Sequence, residues 1–267
     1  MLYKIGKMSK LLGISVEGLR LYERRGMIRA IKDEETGVRY YKPLDITALI
    51  RCRSYRRYGF SMNETADLLN TTDLHYIVEK YREREKAIEQ DIQWNIQMLS
   101  YLKGIRKVVE SIDTDYQVCR IDESPAMYRF TYMKDSELVL DEEALKLFSN
   151  WMDRVPFSAL SIIWDRELFL EGKTSFRAAL CVPVEYAKAL DYYLGEPVEY
   201  VPPKKCVYTI SSEDNDRFDV AYCMDYVLAY LKSNGLRLTD DPYCRTFLST
   251  DKKGNYTRWR QVWLPIE

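Results

Sequence analysis

Histidine is almost missing from these 267 residues; His75 is the only one. A His-based metal site or a Ser-His-Asp triad therefore has almost nothing to be built from. Cysteine occurs six times, at positions 52, 119, 181, 206, 223 and 244, with no CxxC pair and no close cluster. That spacing gathers no thiolates for a metal sensor and points to buried, reduced thiols. No metal ligand, cofactor or catalytic residue is assigned. No apolar run approaches the ~18–20 residues of a membrane helix. The opening stretch MLYKIGKMSKLLGIS scatters its basic residues and has no apolar core with a small-residue cleavage site. A soluble, cytoplasmic protein with no membrane partner is expected.

Excess charge is missing too, since the net charge is −1. The charge is unevenly placed, however. Residues 1–72 carry 5 Lys and 9 Arg against 8 acidic residues, which leaves +6 there and −7 on the rest. A basic amino-terminal module joined to an acidic remainder is the footprint of a nucleic-acid reader with a separate second function. With 46% hydrophobic residues the chain has enough apolar surface for real cores, so disorder is excluded as its main state.

Residues 1–72 show short helical patterns broken by turns. The apolar spacing of Ile5, Met8, Leu11 and Leu12 stops at Gly13, and Ser15 stands where the N-cap of a second helix belongs. Val16, Leu19 and Tyr22 share one face of that helix, while Glu17, Gly18, Arg20 and Arg24 are left outward. This is a helix-turn-helix pattern. The polar run ending at Gly37, followed by Val38-Arg39-Tyr40-Tyr41, predicts a hairpin wing. Pro43 opens a helix that Gly59 ends, and Ser61 with Glu64 forms a capping box for the next.

Residues 73–112 predict one unbroken helix with two apolar stripes. Trp94, Met98, Tyr101, Ile105, Val108 and Ile112 form the first. Ile77, Tyr81, Arg84, Ile88, Ile92, Asn95, Leu99 and Leu102 form the second. Two stripes imply two burial surfaces, such as a following domain and an antiparallel second copy. Beyond residue 115 the expected order is strand 126–133, helix 141–153, strand 159–164 and strand 176–184. It then recurs as strand 205–211, helix Arg217–Ser233, strand 243–249 and strand 258–266. Two βαββ units suggest a duplication with a ligand groove between the halves.

Residues 116–267 hold 13 Tyr, 7 Phe and 4 Trp, more than a core of this size needs. Either they make a Tyr-rich core with surface outliers, or they wall a cavity for flat apolar molecules. Strand alternation puts Trp259, Gln261 and Trp263 on one face of the last strand, with Val262, Leu264 and Ile266 opposite. Tyr243 and Phe247 share a face of the neighbouring strand, and Cys206, Tyr208 and Ile210 share one of theirs. The effector-site candidates are therefore Tyr208, Tyr243, Phe247, Trp259, Gln261 and Trp263.

Several segments together resemble the MerR family of transcriptional regulators: Tyr3-Lys-Ile-Gly6, Gly13-Ile-Ser15, Leu19-Arg20-Leu-Tyr22-Glu23, Gly26-Met-Ile, Gly37-Val-Arg39-Tyr40-Tyr41 and Tyr58-Gly59-Phe60-Ser61. The remainder, with its duplicated βαββ order and terminal Val262-Trp-Leu-Pro265-Ile, is similar to GyrI-like effector domains of drug-sensing, BmrR-like members. The resemblance implies an α+β chain in three parts. These are a winged helix-turn-helix over 1–72, an antiparallel dimerisation helix over 73–114 and a GyrI-like domain over 115–267. It implies a homodimer on promoter DNA with an overlong spacer, which distorts that DNA for RNA polymerase when a small aromatic or apolar effector binds. By position, Ser15, Val16, Arg20 and Tyr22 fall on the recognition helix, Arg39 and Tyr41 on the wing, and Arg56 and Tyr58 near a backbone contact.

Three positions depart from the family pattern. Leu21 stands where a second aromatic is usual, and Gln261 stands where drug-binding relatives place a glutamate. The stretch Tyr243–Phe247 lacks a further glutamate. A cationic effector would then depend on another carboxylate or on ring faces alone, so a neutral or weakly charged one fits better. Metal-sensing members carry cysteines where this chain offers His75 and Cys119. Two other readings stand beside the regulator: a GyrI-like hydrolase acting on a small molecule, and an architectural DNA binder without ligand sensing.

Overall fold

The computed structural model describes residues 1–135, 137–139, 141–214, 219–252 and 254–267. Its internal contacts divide it into two compact units, Met1–Gln93 and Trp94–Glu267.

The first unit starts with strand β1 (Tyr3–Lys4), which leads into helix α1 (Ile5–Leu12). Gly13 ends α1 in the left-handed region at φ 60°, where a side chain would be strained. Ser15 then caps α2 (Val16–Arg24), its hydroxyl accepting from the Gly18 N–H at 3.0 Å. The wing is β2 (Ile31–Lys32) and β3 (Arg39–Tyr41), paired antiparallel, with β1 on the other side of β3. Its turn is held by Asp33, whose carboxylate accepts from the Thr36 N–H at 2.8 Å and hydroxyl at 2.7 Å. Helix α3 (Pro43–Tyr58) has proline at its first turn, and α4 (Met62–Asn70) has the expected Ser61–Glu64 capping box. Met8, Leu19, Ile28, Tyr41 and Leu49 form the core of this helical unit.

Helix α5 (Leu74–Glu110) is continuous over 37 residues, about 55 Å of rise, and carries the division between the units. Of its two stripes, the one through Trp94, Met98, Tyr101 and Ile105 packs into the core of the second unit. Ile77 and Tyr81 of the other pack on Tyr55, Phe60 and Leu68 in the first unit. Beyond them that stripe is bare: Ile92 is 51% exposed and Leu99 55%.

A one-turn helix α6 (Ile112–Asp115) and β4 (Arg120–Glu123) lead into the first βαββ repeat: β5 (Met127–Lys134), β6 (Glu137–Leu138), α7 (Glu142–Met152), β7 (Ala159–Trp164), α8 (Arg166–Leu170) and β8 (Phe176–Pro183). Helix α9 (Val184–Ala189) and β9 (Glu199–Val201) join it to the second. That repeat is β10 (Lys205–Asp214), α10 (Val220–Cys223), α11 (Asp225–Ser233), β11 (Tyr243–Lys252) and β12 (Asn255–Pro265). The expected single helix is two, broken at Met224; its expected start at Arg217 lies outside the described residues. In each repeat the last strand sits in the middle, giving β5-β8-β7 and β10-β12-β11, and the halves join through Tyr243 opposite Ile163. The short β4, β6, β8-flanking α8 and α9, and β9 were not expected, because two- to six-residue elements carry too little periodicity to read.

Alternation sorts the sheet into two chemically different faces. Val262, Leu264 and Ile266 pack with Val220, Val227 and Leu231 under α10 and α11. Phe130, Leu180 and Val182 pack with Leu147 and Trp151 of α7. The opposite face carries Ala179, Cys181, Tyr208, Ile210, Tyr243 and Trp263.

Candidate functional site

In the first unit α2 presents Glu17, Arg20 and Arg24 to solvent. Glu17 accepts from Arg24 at 3.0 Å and from Arg20 at 3.5 Å, surface pairs that hold the guanidinium groups on one side of the helix. Gly18 is required by close approach: a Cβ there would meet Ile14 Cγ2 at 2.9 Å. Ser15 is the cap, and Val16 and Tyr22 are half-buried, Tyr22 against the core. Burial pushes the Tyr22 phenol up.

The wing is tied to α2 by Glu23. Its carboxylate pairs with Arg39 Nε at 3.3 Å and accepts from the Tyr41 hydroxyl at 3.2 Å. Tyr41 is therefore not a groove-facing side chain. It is 0% exposed, and burial beside Glu23 raises its phenol to about 12. The expectation of a wing contact there does not fit this burial: Arg39 and Tyr41 share the face of β3 that meets Glu23, where the Arg39 side chain stays half-exposed and the Tyr41 ring is covered. Arg56 is exposed, its guanidinium turned to the Phe60 carbonyl, and Tyr58 is 46% exposed with its ring 6.3 Å from that of Tyr81. Of the nearby cations, Arg53 is engaged structurally, donating to the Leu12 carbonyl at 2.8 Å and so satisfying an end of α1.

The second unit has a cavity of about 500 Å³ on the Tyr208–Trp263 face of its sheet. The strands supply Tyr208, Arg245, Gln261 and Trp263, and the end of α5 supplies Tyr101 and Ile105. A hydrogen-bonded row crosses its floor: Arg245 donates to Gln261 Oε1 at 2.7 Å, and Gln261 Nε2 donates to the Tyr208 hydroxyl at 3.1 Å. The Arg120 guanidinium lies 4.5 Å from the Tyr208 ring centre and pairs with Asp115 at 2.8 Å. Arg120 and its hydrogen bonds hold the Asp115 carboxyl below its ordinary value against the opposing effect of burial. Burial raises the Tyr208 phenol.

Three of the six expected effector residues thus meet at the cavity: Tyr208, Gln261 and Trp263. Tyr243 lies behind, 2% exposed and stacked on Trp263 at 5.7 Å and 29°. Phe247 and Trp259 do not line it. Both pack on the same face of the sheet but outside the cavity: Phe247 falls at a register shift between Thr246 and Leu248, and Trp259 packs edge-on against Tyr116 at 5.4 Å.

The sequence pattern of the MerR HTH family regulatory proteins matches residues 3–72. The HTH-type transcriptional regulator CueR of Escherichia coli O6:H1 is 30% identical over 94 residues, 33% of this chain and 70% of that protein. The chain belongs to the MerR family. The mercuric resistance operon regulatory protein of Shigella flexneri is 35% identical over 69 residues, which are 26% of this chain. This chain spans about half the length of that relative, 48%. Among solved structures, the EcmrR–DNA complex is 19% identical with 99% of both chains covered and a TM-score of 0.37. A hydrolase from Listeria innocua is 11% identical, covering 61% of this chain and 98% of its own, with a TM-score of 0.37. With scores below 0.5, neither likeness carries weight.

In this MerR-family chain, Glu23 and Arg245 are the site residues that sequence reasoning passed over. Arg245 had a signal, since it lies between Tyr243 and Phe247 on the face that alternation assigns to both. The part played by Tyr101 and Ile105 had none, because the helix stripe showed that they are buried but not beside which cavity. Four of the six cysteines, Cys52, Cys181, Cys206 and Cys244, are buried. Burial pushes Cys52, Cys119, Cys206 and Cys223 up to about 11 and Cys181 to about 12. Among the described residues no three His, Cys, Asp or Glu gather as metal ligands.

Proposed function

We propose that this chain is a ligand-responsive, DNA-binding transcriptional regulator that acts as a homodimer. Residues 1–72 bind promoter DNA with an overlong spacer, α5 pairs with its copy in a second chain, and the remainder is a GyrI-like, BmrR-like effector domain. Occupancy of the cavity by a small aromatic or apolar molecule distorts the DNA for RNA polymerase. The observation that carries the reading is α2 itself. It is capped at Ser15, drawn tight at Gly18, and offers Arg20 and Arg24 outward beside a wing braced by Glu23. Ser15, Val16, Arg20, Tyr22, Arg39, Arg56 and Tyr58 remain the DNA-side residues; Tyr41 serves the core.

Pairing is supported by the bare stripe of α5, where Ile88, Ile92, Ile96, Leu99 and Leu102 all stand in solvent. Each is already about half covered, so burying the rest would contribute about 1 kcal/mol apiece, and a second copy offers the complementary stripe. Leu99→Asp should shift the protein from dimer to monomer in sedimentation velocity and weaken DNA binding with it.

The direct test is a mobility shift at moderate salt on DNA upstream of the protein's own gene. Retardation that competes out with the same fragment is expected. A folded dimer that retards no such fragment would overturn the reading.

A further inference from the structure

Arg245 enters the cavity wall from β11 with its charge uncompensated. One guanidinium N–H meets the neutral oxygen of Gln261, Nε is buried without a partner, and no carboxylate among the described residues pairs with it. The other end of the Gln261 amide donates to the Tyr208 hydroxyl. Withdrawing a guanidinium from water against an amide alone is unfavourable, and an anion arriving at the free N–H groups would offset that cost.

The ring faces point the same way. The Tyr208 face already holds Arg120 at 4.5 Å, and Tyr243, stacked on Trp263, already holds Arg129 at 5.9 Å. A ligand cation would find these places taken by like charge. The acidic groups around the cavity do not reverse this. Asp115 and Asp122 are both engaged by Arg120, at 2.8 and 3.4 Å, and Glu123 and Glu185 stand exposed, where water screens them.

We propose that the cavity selects a planar aromatic molecule bearing a carboxylate, its rings against Tyr101, Ile105 and Trp263 and its anionic group on Arg245. The inference rests on the reading of this cavity as the effector site. Gln261 is the specificity residue, since a carboxylate in its place would neutralise Arg245 from within.

The full-length chain is titrated by calorimetry with three naphthalene probes of different charge: 2-naphthoate, 2-naphthamide and 2-naphthylmethylammonium. Naphthoate should bind about tenfold or more tighter than the amide, with the ammonium weakest. Arg245→Met should remove that advantage, bringing naphthoate to within about twofold of the amide, as loss of a charge-assisted contact requires. Gln261→Glu should remove it too. Ammonium binding as tight as naphthoate, or an advantage that survives both substitutions, would overturn the anion assignment and leave the cavity a binding site. No binding of any probe at millimolar concentration would overturn both. If Arg245→Met does not fold, the wild-type ranking and Gln261→Glu decide.

Discussion

In residues 1–93 the guanidinium groups of Arg20, Arg24, Arg51 and Arg57 stand in solvent, whereas in residues 94–267 those of Arg129, Arg245 and Arg260 are drawn toward the interior. In the first unit the pairs at Glu17 are exposed and the Arg39–Glu23 pair is half-buried. In the second, Glu213 is 4% exposed and bridges to Arg258 and to the 3% exposed Arg260. Exposed charges keep their water and add up to a field, which suits an extended polyanion. Withdrawn charges must find partners, so they define geometry and select what enters. One residue type thus gives one unit a surface and the other an interior.

The comparison is broken most severely at Glu213. Glu213→Ala leaves Arg260 buried without its carboxylate and should cost about 3–5 kcal/mol. All five tryptophans lie in the second unit, so urea unfolding followed by tryptophan fluorescence reads this loss there. A cost below 1 kcal/mol would show that water reaches the pair. On the other side, Arg20→Ala and Arg39→Ala should each weaken DNA binding by about 1–3 kcal/mol for a base contact, or shallow the salt slope by about one for a phosphate contact. Tryptophan fluorescence and ligand affinity should not change in either variant. If DNA and ligand affinities fell together, the units would not be separate in function. The smallest effect is expected for Glu17→Ala, which breaks two surface pairs and should alter stability by less than about 1 kcal/mol. Its DNA affinity should rise, as a carboxylate beside the phosphates is removed; a fall would show that Glu17 positions Arg20 and Arg24.

The two units also differed in how much could be read beforehand. In the first, each boundary has a local cause. Gly13 stops α1, Ser15 starts α2, Pro43 and Gly59 bound α3, and Ser61 with Glu64 starts α4. Such signals act within four residues, so they are written in the chain. What escaped there was Tyr41, because it shares a strand face with Arg39 and only packing decides which of the two is covered. In the second unit the βαββ order was legible from periodicity, while the bulge beyond Thr246 and the break at Met224 were not.

The chain by itself determined its longer elements, the duplicated order, the two stripes of α5 and the sorting of β12 into Val262-Leu264-Ile266 and Trp259-Gln261-Trp263 faces. These follow from the period of a helix or a strand and need no neighbour. Tertiary structure alone decided that Tyr208, Gln261 and Trp263 meet a cavity while Trp259 does not, that α5 closes it with Tyr101, and that Arg245 stands there without a counter-charge. Enclosure depends on which surfaces come together across long stretches of chain, and a charge is compensated or not only by what folding brings within a few ångströms of it.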